Sequence, residues 1–138
     1  MDKALNYLAL ARKGGRAELG EEPVGAAARA LHAHLIIVAS DASDHTWRRA
    51  KAFAAGTDQQ CVRVPYTKDE MGFVIGRTSL AIAAITDVAL ALAMINALGE
   101  PEKHKTVIEV LTLKTGRLKR RQAEAKAHQR NLRKGKKK

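Results

Sequence analysis

The chain has 138 residues, 46% hydrophobic and 28% charged, and a formal net charge of +11. That suffices for one domain with a buried core plus an appendage. No run of about 18 apolar residues occurs, no secretory pattern follows Asp2 and Lys3, and Cys61 is the single cysteine, which argues against a membrane span, export, a disulfide framework and a multi-cysteine metal site. A soluble cytoplasmic protein is expected.

The charge is uneven. Residues 1–100 hold 11 Lys/Arg against 11 Asp/Glu, whereas residues 101–138 hold 14 against 3. A neutral body with a basic tail points to a polyanionic partner. Nucleic acid ranks ahead of membrane, because the tail has few large apolar residues and no aromatic.

In chain order, Ala4, Leu5, Leu8 and Ala11 recur at helical spacing, Arg12 and Lys13 occupy the last turn, and Gly14-Gly15 ends the helix. Arg16 to Leu19 is short and fits an edge strand leading to Gly20. Glu21, Glu22 and Pro23 suit the first turn of a second helix that runs to about Leu31. Leu35-Ile36-Ile37-Val38 is an unbroken apolar run, stopped by Ala39-Ser40-Asp41. It reads as a strand buried on both faces, at the centre of a sheet. Ser43 or Asp44 caps a third helix to about Ala55, whose apolar face carries Trp47, Ala50, Phe53 and Ala54. Cys61 to Pro65 alternates as a strand does. Thr67-Lys68-Asp69-Glu70 has the capping-box pattern of a short helix ending at Gly76. Leu80 to Ile85 reads as another buried strand, and Asp87 caps a helix from Val88 to Leu98. About four strands among five helices make an α/β layer fold.

Thr106 to Leu111 favours strand through its β-branched content, with a helical turn as the alternative. From Lys114 to Lys138, 12 Lys/Arg accompany Glu124 as the one acid. Leu111, Leu118, Ala125 and Leu132 form one seven-residue stripe, too narrow for a stable isolated helix. Residues 1–100 are therefore expected as the domain, and residues 101–138 as a basic extension, disordered or partly helical, that orders on its partner.

No enzyme signature emerges. His32 and His34 lack further metal ligands, and Ser40, Ser43 and His45 lack an orienting acid. Gly72 to Ser79 lacks the Gly-Lys-Ser/Thr ending of a phosphate loop, and Cys61 reads as an inert strand cysteine. Catalysis, a metal and a cofactor are not expected. Three loops, Arg16–Glu22, Asp41–His45 and Gly76–Ser79, could instead gather at one end of a layered fold. They would offer Gly20 and Gly76 for close backbone approach, a helix N-terminus, and the cations Arg16 and Arg77.

Leu8 to Arg16, Leu19-Gly20-Glu21-Glu22, Leu35 to Ser43, Pro65-Tyr66-Thr67-Lys68-Asp69-Glu70-Met71-Gly72, Ile75-Gly76-Arg77 and Ala84-Ile85-Thr86-Asp87 follow one another in order. Over about residues 4–98 this set resembles the bacterial YlxQ-type branch of the ribosomal L-seven-Ae family. The resemblance implies a three-layer α-β-α sandwich with a small mixed sheet, and binding of kink-turns, sharply bent RNA internal loops. The family's contact motif is a glycine, a small or acidic residue, then Asn-Glu, with a lysine three residues on. Gly20 matches the glycine, while Glu22, Pro23 and Ala26 stand at the Asn, Glu and Lys positions. Pro23 and Ala26 thus remove a carboxylate acceptor and a phosphate contact. The second contact element corresponds to the loop after Gly76.

These readings combine into a non-catalytic binder of structured RNA, kink-turn or ribosomal, with the ribosome itself among the partners and neither membrane nor DNA expected. Its candidate contacts are Arg16, Gly20, Glu21, Glu22, Gly76, Arg77, Thr78 and Ser79, with Arg117, Lys119, Arg120 and Arg121 of the tail touching phosphates. The alternative is a protein-interaction adaptor that keeps the fold with a decayed RNA site.

Overall fold

Leu35–Val38 forms a strand of four buried residues with sheet neighbours on both sides. The computed structural model describes residues 2–136, with side chains as far as residue 132. Within them the elements are α1 (Lys3–Lys13), β1 (Ala17–Leu19), α2 (Glu21–Arg29), β2 (Leu35–Val38), α3 (Asp44–Ala54) and β3 (Gln60–Arg63). There follow α4 (Lys68–Val74), β4 (Ile82–Ile85), α5 (Val88–Ala97) and α6 (Lys105–Lys136).

The sheet order is β1-β4-β2-β3. β4 is antiparallel to both neighbours, with Ala17 and Leu35 each opposite Ile85, and β2 is parallel to β3, with Leu35 opposite Gln60. β1, β2 and β3 therefore end where β4 begins. The turns after Leu19 and Val38 and the turn before Ile82 share that end of the sheet, the glycine-loop end.

α2 and α3 cover one face; α1 and α5 cover the other, with α4 beside α1 and α6 on α5. This is the α/β layer fold that the chain order leads one to expect, with the small mixed sheet that the sequence resemblance implies. Its core is aliphatic: Leu8, Val24, Leu35, Ile36, Ile37, Ile85, Met94, Ile95 and Leu111 are all buried. Local chemistry sets the helix starts. Asp2, Ser43, Thr67 and Asp87 each accept a first-turn N–H, and Thr67 and Glu70 complete the capping box.

Thr106 to Leu111 does not form a strand; it is the opening of α6. Val107, Ile108 and Leu111 line one side of the helix and pack on the core, and Leu111 is fully buried. Burial against α5 outweighs the weak strand preference of the β-branched residues. The packed body thus continues through Leu111, and α6 runs on to Lys136. Lys137 and Lys138, counted among the tail cations, lie outside the described residues.

Candidate nucleic-acid interface

The glycine-loop end is stitched together by backbone bonds. Gly20 holds φ +97° at the start of α2 and donates to the Ile82 carbonyl at 2.9 Å. A side chain at that φ would be strained, so glycine is what this turn requires. The amides of Glu21 and Glu22, next in line, have no acceptor within the helix, and Pro23 has no amide to offer. The Glu21 carboxylate is held by Arg49 of α3, while Glu22 stands exposed.

The loop before β4 is built on the end of α4. Arg77 donates to Gly72 O at 2.9 Å and Gly76 to Phe73 O at 3.3 Å, a paired bond pattern that needs the left-handed Gly76, φ +74°. Gly72 is fixed by crowding. A Cβ there would lie 2.7 Å from Ser79 N and 2.9 Å from Arg77 O. The turn after β2 joins the same assembly, because Asp41 Oδ1 accepts from Lys68 N at 2.8 Å while Lys68 O accepts from Leu80 N at 3.0 Å. Ala39 N also reaches Ala81 O at 2.9 Å.

Gly20, Glu21, Glu22, Gly76, Arg77, Thr78 and Ser79 therefore do share one end of the sheet, and Arg77, Thr78 and Ser79 are all exposed. Phe73, which no sequence motif marks, is 76% exposed beside them. Met71, Gly72 and Ile75 are buried. A helical wheel drawn through those three would have turned Phe73 outward and flagged an aromatic ring at the rim.

Arg16 does not join this group. It precedes β1 whereas Gly20 follows it, so the length of the strand, about 13 Å over four residues, separates them. Arg16 is ion-paired with Asp87 at the opposite end, where its carbonyl accepts from Thr86 N at 2.9 Å. Arg117 and Arg121 lie at that same opposite end, around a concavity they share with Leu31, His34, Asp58, Asp87 and Lys114. Lys119 and Arg120, between those two in the same turn of α6, are exposed. The candidate contacts are thus divided between two ends of the molecule.

The titrating groups here have structural roles. Burial pushes the Cys61 thiol up to about 12, which leaves it an unreactive neutral thiol at ordinary pH. Burial lowers the His34 pKa, and the Lys114 ammonium lowers it further. Tyr66 donates to Asp2 at 2.5 Å; that bond depresses the Asp2 pKa, while burial foremost raises that of Tyr66. Among the described residues, no group of three or more His, Cys, Asp or Glu is placed to hold a metal ion, and no helix is long and apolar enough to cross a membrane.

The molecule is a small α-β-α sandwich with a glycine-rich loop cluster at one sheet end. No family model and no curated protein matches the chain. Solved structures share its fold. A protein of unknown function from Bacillus halodurans aligns with a TM-score of 0.67 and 23% identity, over 72% of this chain and 100% of that one. The Giardia lamblia 15.5kD RNA binding protein aligns with a TM-score of 0.58 and 17% identity, over 72% of this chain and 84% of that one.

Proposed function

We propose that this chain is a non-catalytic RNA-binding protein of the L-seven-Ae type, close to its bacterial YlxQ-like branch, acting on kink-turn or ribosomal RNA in the cytoplasm. The domain up to about residue 100 reads RNA shape, and the basic extension beyond it adds phosphate contacts. One observation carries the reading: Gly20 is bonded to Ile82 where the Gly76–Ser79 turn leads into β4, and Glu22 and Gly76 to Ser79 stand exposed at that end, in a fold shared with an RNA-binding protein. Amides at a helix start suit phosphate. The exposed Glu22 carboxylate is an acceptor for base amino groups, Arg77 supplies a cation, and Phe73 supplies a face on which an unstacked base can rest.

A salt-titrated comparison of the full chain on a kink-turn RNA and on a straight duplex of equal length tests this. The expected result is at least a tenfold preference for the kink-turn that Arg77→Glu removes, on the order of 1.4 kcal/mol. Equal affinity for both RNAs would overturn it.

A protein-interaction adaptor is favoured by one separate observation. β3 is an edge strand, and the groove beside it is lined by Trp47, Arg63, His104 and Val107. Arg63 Nε and Nη2 are buried there without a hydrogen-bond partner, as if awaiting a carboxylate. A stoichiometric protein that copurifies after nuclease treatment, and is lost with Arg63→Met, would support that reading.

A further inference from the structure

The cationic helix leads away from the glycine loops. α6 begins beside Ser40, Val64 and Pro65, where Lys103, His104 and Val107 line one groove with them. It passes the other end of the sheet at Lys114, which bonds to Asp58 and His34. From Lys119 onward every described side chain is exposed. The 18 residues from 119 to 136 extend about 27 Å at 1.5 Å per residue. With the strand length added, the middle of this segment lies roughly 25–40 Å from Gly20 and Gly76. Leu111 in the core and the Lys114 contacts hold it in that direction.

The charge pattern says what the segment can hold. Around the axis, at about 100° per residue, Arg117 and Arg121 share one side, Lys119, Lys126 and Arg130 take the opposite side, and Arg120 stands between them. The acids at its root are occupied, Asp58 by Lys114 and Asp87 by Arg16. Leu118, Ala125 and Leu132 make only one narrow stripe, so no broad apolar face exists for a lipid surface or a partner helix. A helix with cations on opposite sides is best matched by anions on more than one side. Double-helical RNA, with its two phosphate rows, supplies them.

We propose that the protein is a two-ended RNA bridge. The glycine-loop end holds one bent element, and the projecting part of α6 holds a second, double-helical segment at the same time, read by its phosphates and not its sequence. The first half rests on the RNA reading given above; the second rests on the direction and charge of α6.

The test uses the full chain with two RNAs. A kink-turn RNA is immobilised, protein is added, and capture of a labelled straight duplex is measured. Vesicles containing anionic lipid are the parallel probe. The expected result is duplex capture only through bound protein. Lys119→Gln/Arg120→Gln/Arg121→Gln, three changes at exposed side chains, should lower that capture about tenfold and lower kink-turn affinity by less. Mutual displacement of the two RNAs would mean one shared surface and overturn the bridge, as would equal weakening of both by the triple variant. Capture of vesicles in place of duplex would also overturn it. Absence of kink-turn binding with persistent duplex binding would instead sink the reading of the glycine-loop end.

Discussion

Lys114 of α6 places its ammonium 3.0 Å from the carboxylate of Asp58, with only 10% of the lysine side chain exposed against 63% for the aspartate. The same ammonium donates to His34 Nδ1 at 3.2 Å, which requires a ring nitrogen without a proton. One lysine thus fastens the basic helix to the starts of β2 and β3. The fastening decides where the tail cations stand relative to the glycine loops.

This contact predicts an asymmetry between its partners. Asp58→Asn leaves a buried ammonium without its counter-charge and should cost about 1–2 kcal/mol, less than a fully buried pair because Asp58 faces water. Lys114→Met removes the charge and keeps the buried stem, so it should cost under about 0.5 kcal/mol, and the double variant should resemble it. Urea unfolding of the three variants measures the order. A larger loss for Lys114→Met than for Asp58→Asn would refute this account of the contact.

Acid should loosen the protein through the imidazoles. His34 and His104 both have pKa values lowered, chiefly by burial. In the unfolded chain both return to about 6.5. Between that value and the lower folded ones the unfolded chain binds more protons, so stability falls as pH drops through this window and is unaffected by these groups above about pH 7. The other charges facing His34 are Asp58, His32 and Asp87, of which the two acids partly oppose the shift. Urea midpoints at pH 7.5 and 5.5 should differ less in His34→Asn than in the parent chain.

Much of the fold was legible because its signals are local. The apolar run at Leu35–Val38 has no alternating polar residue that would let one face meet water, and the caps at Ser43, Thr67 and Asp87 are single-residue chemistry. The opening of α6 was not legible, since Thr106 to Leu111 becomes helical only by burying Leu111 against elements distant in the chain. The candidate site was half legible. Glycines and turn acids mark loops, but which loops meet depends on strand direction. Arg16 and Gly20 are close in sequence, yet β1 runs between them and carries them to opposite ends of the sheet.

Leu31 offers a stabilising change. It is the one described non-glycine residue at positive φ, +61°, and it ends α2 with its side chain 59% exposed. Left-handed backbone costs a branched residue about 1–2 kcal/mol, while glycine adds about 0.5–1 kcal/mol of unfolded-chain entropy. Leu31→Gly should therefore raise stability by about 0.5–1 kcal/mol, visible as a higher melting temperature. An unchanged or lower one would mean that Leu31 contributes packing this account omits.

Gly72 is the residue on which the shape of the glycine-loop end most directly depends. In Gly72→Ala the new methyl meets backbone atoms of Arg77 and Ser79 below 3.0 Å, and no flexible side chain is there to yield. The loop must move outward, straining the Leu80–Lys68 bond and the Gly20–Ile82 bond beyond it. A cost of about 1–3 kcal/mol follows from overpacking. On the RNA reading, preference for a kink-turn should fall about tenfold, while affinity for a straight duplex, carried by α6, stays unchanged. Gly116→Ala is the control: nothing lies within 4 Å of its added Cβ, and it sits inside a helix. That change should stabilise by about 0.5–1 kcal/mol and leave both RNA affinities alone. The same chemical change at two glycines should thus shift stability in opposite directions, and a Gly72→Ala protein as stable and as selective as the parent would show that the loop is free to adjust.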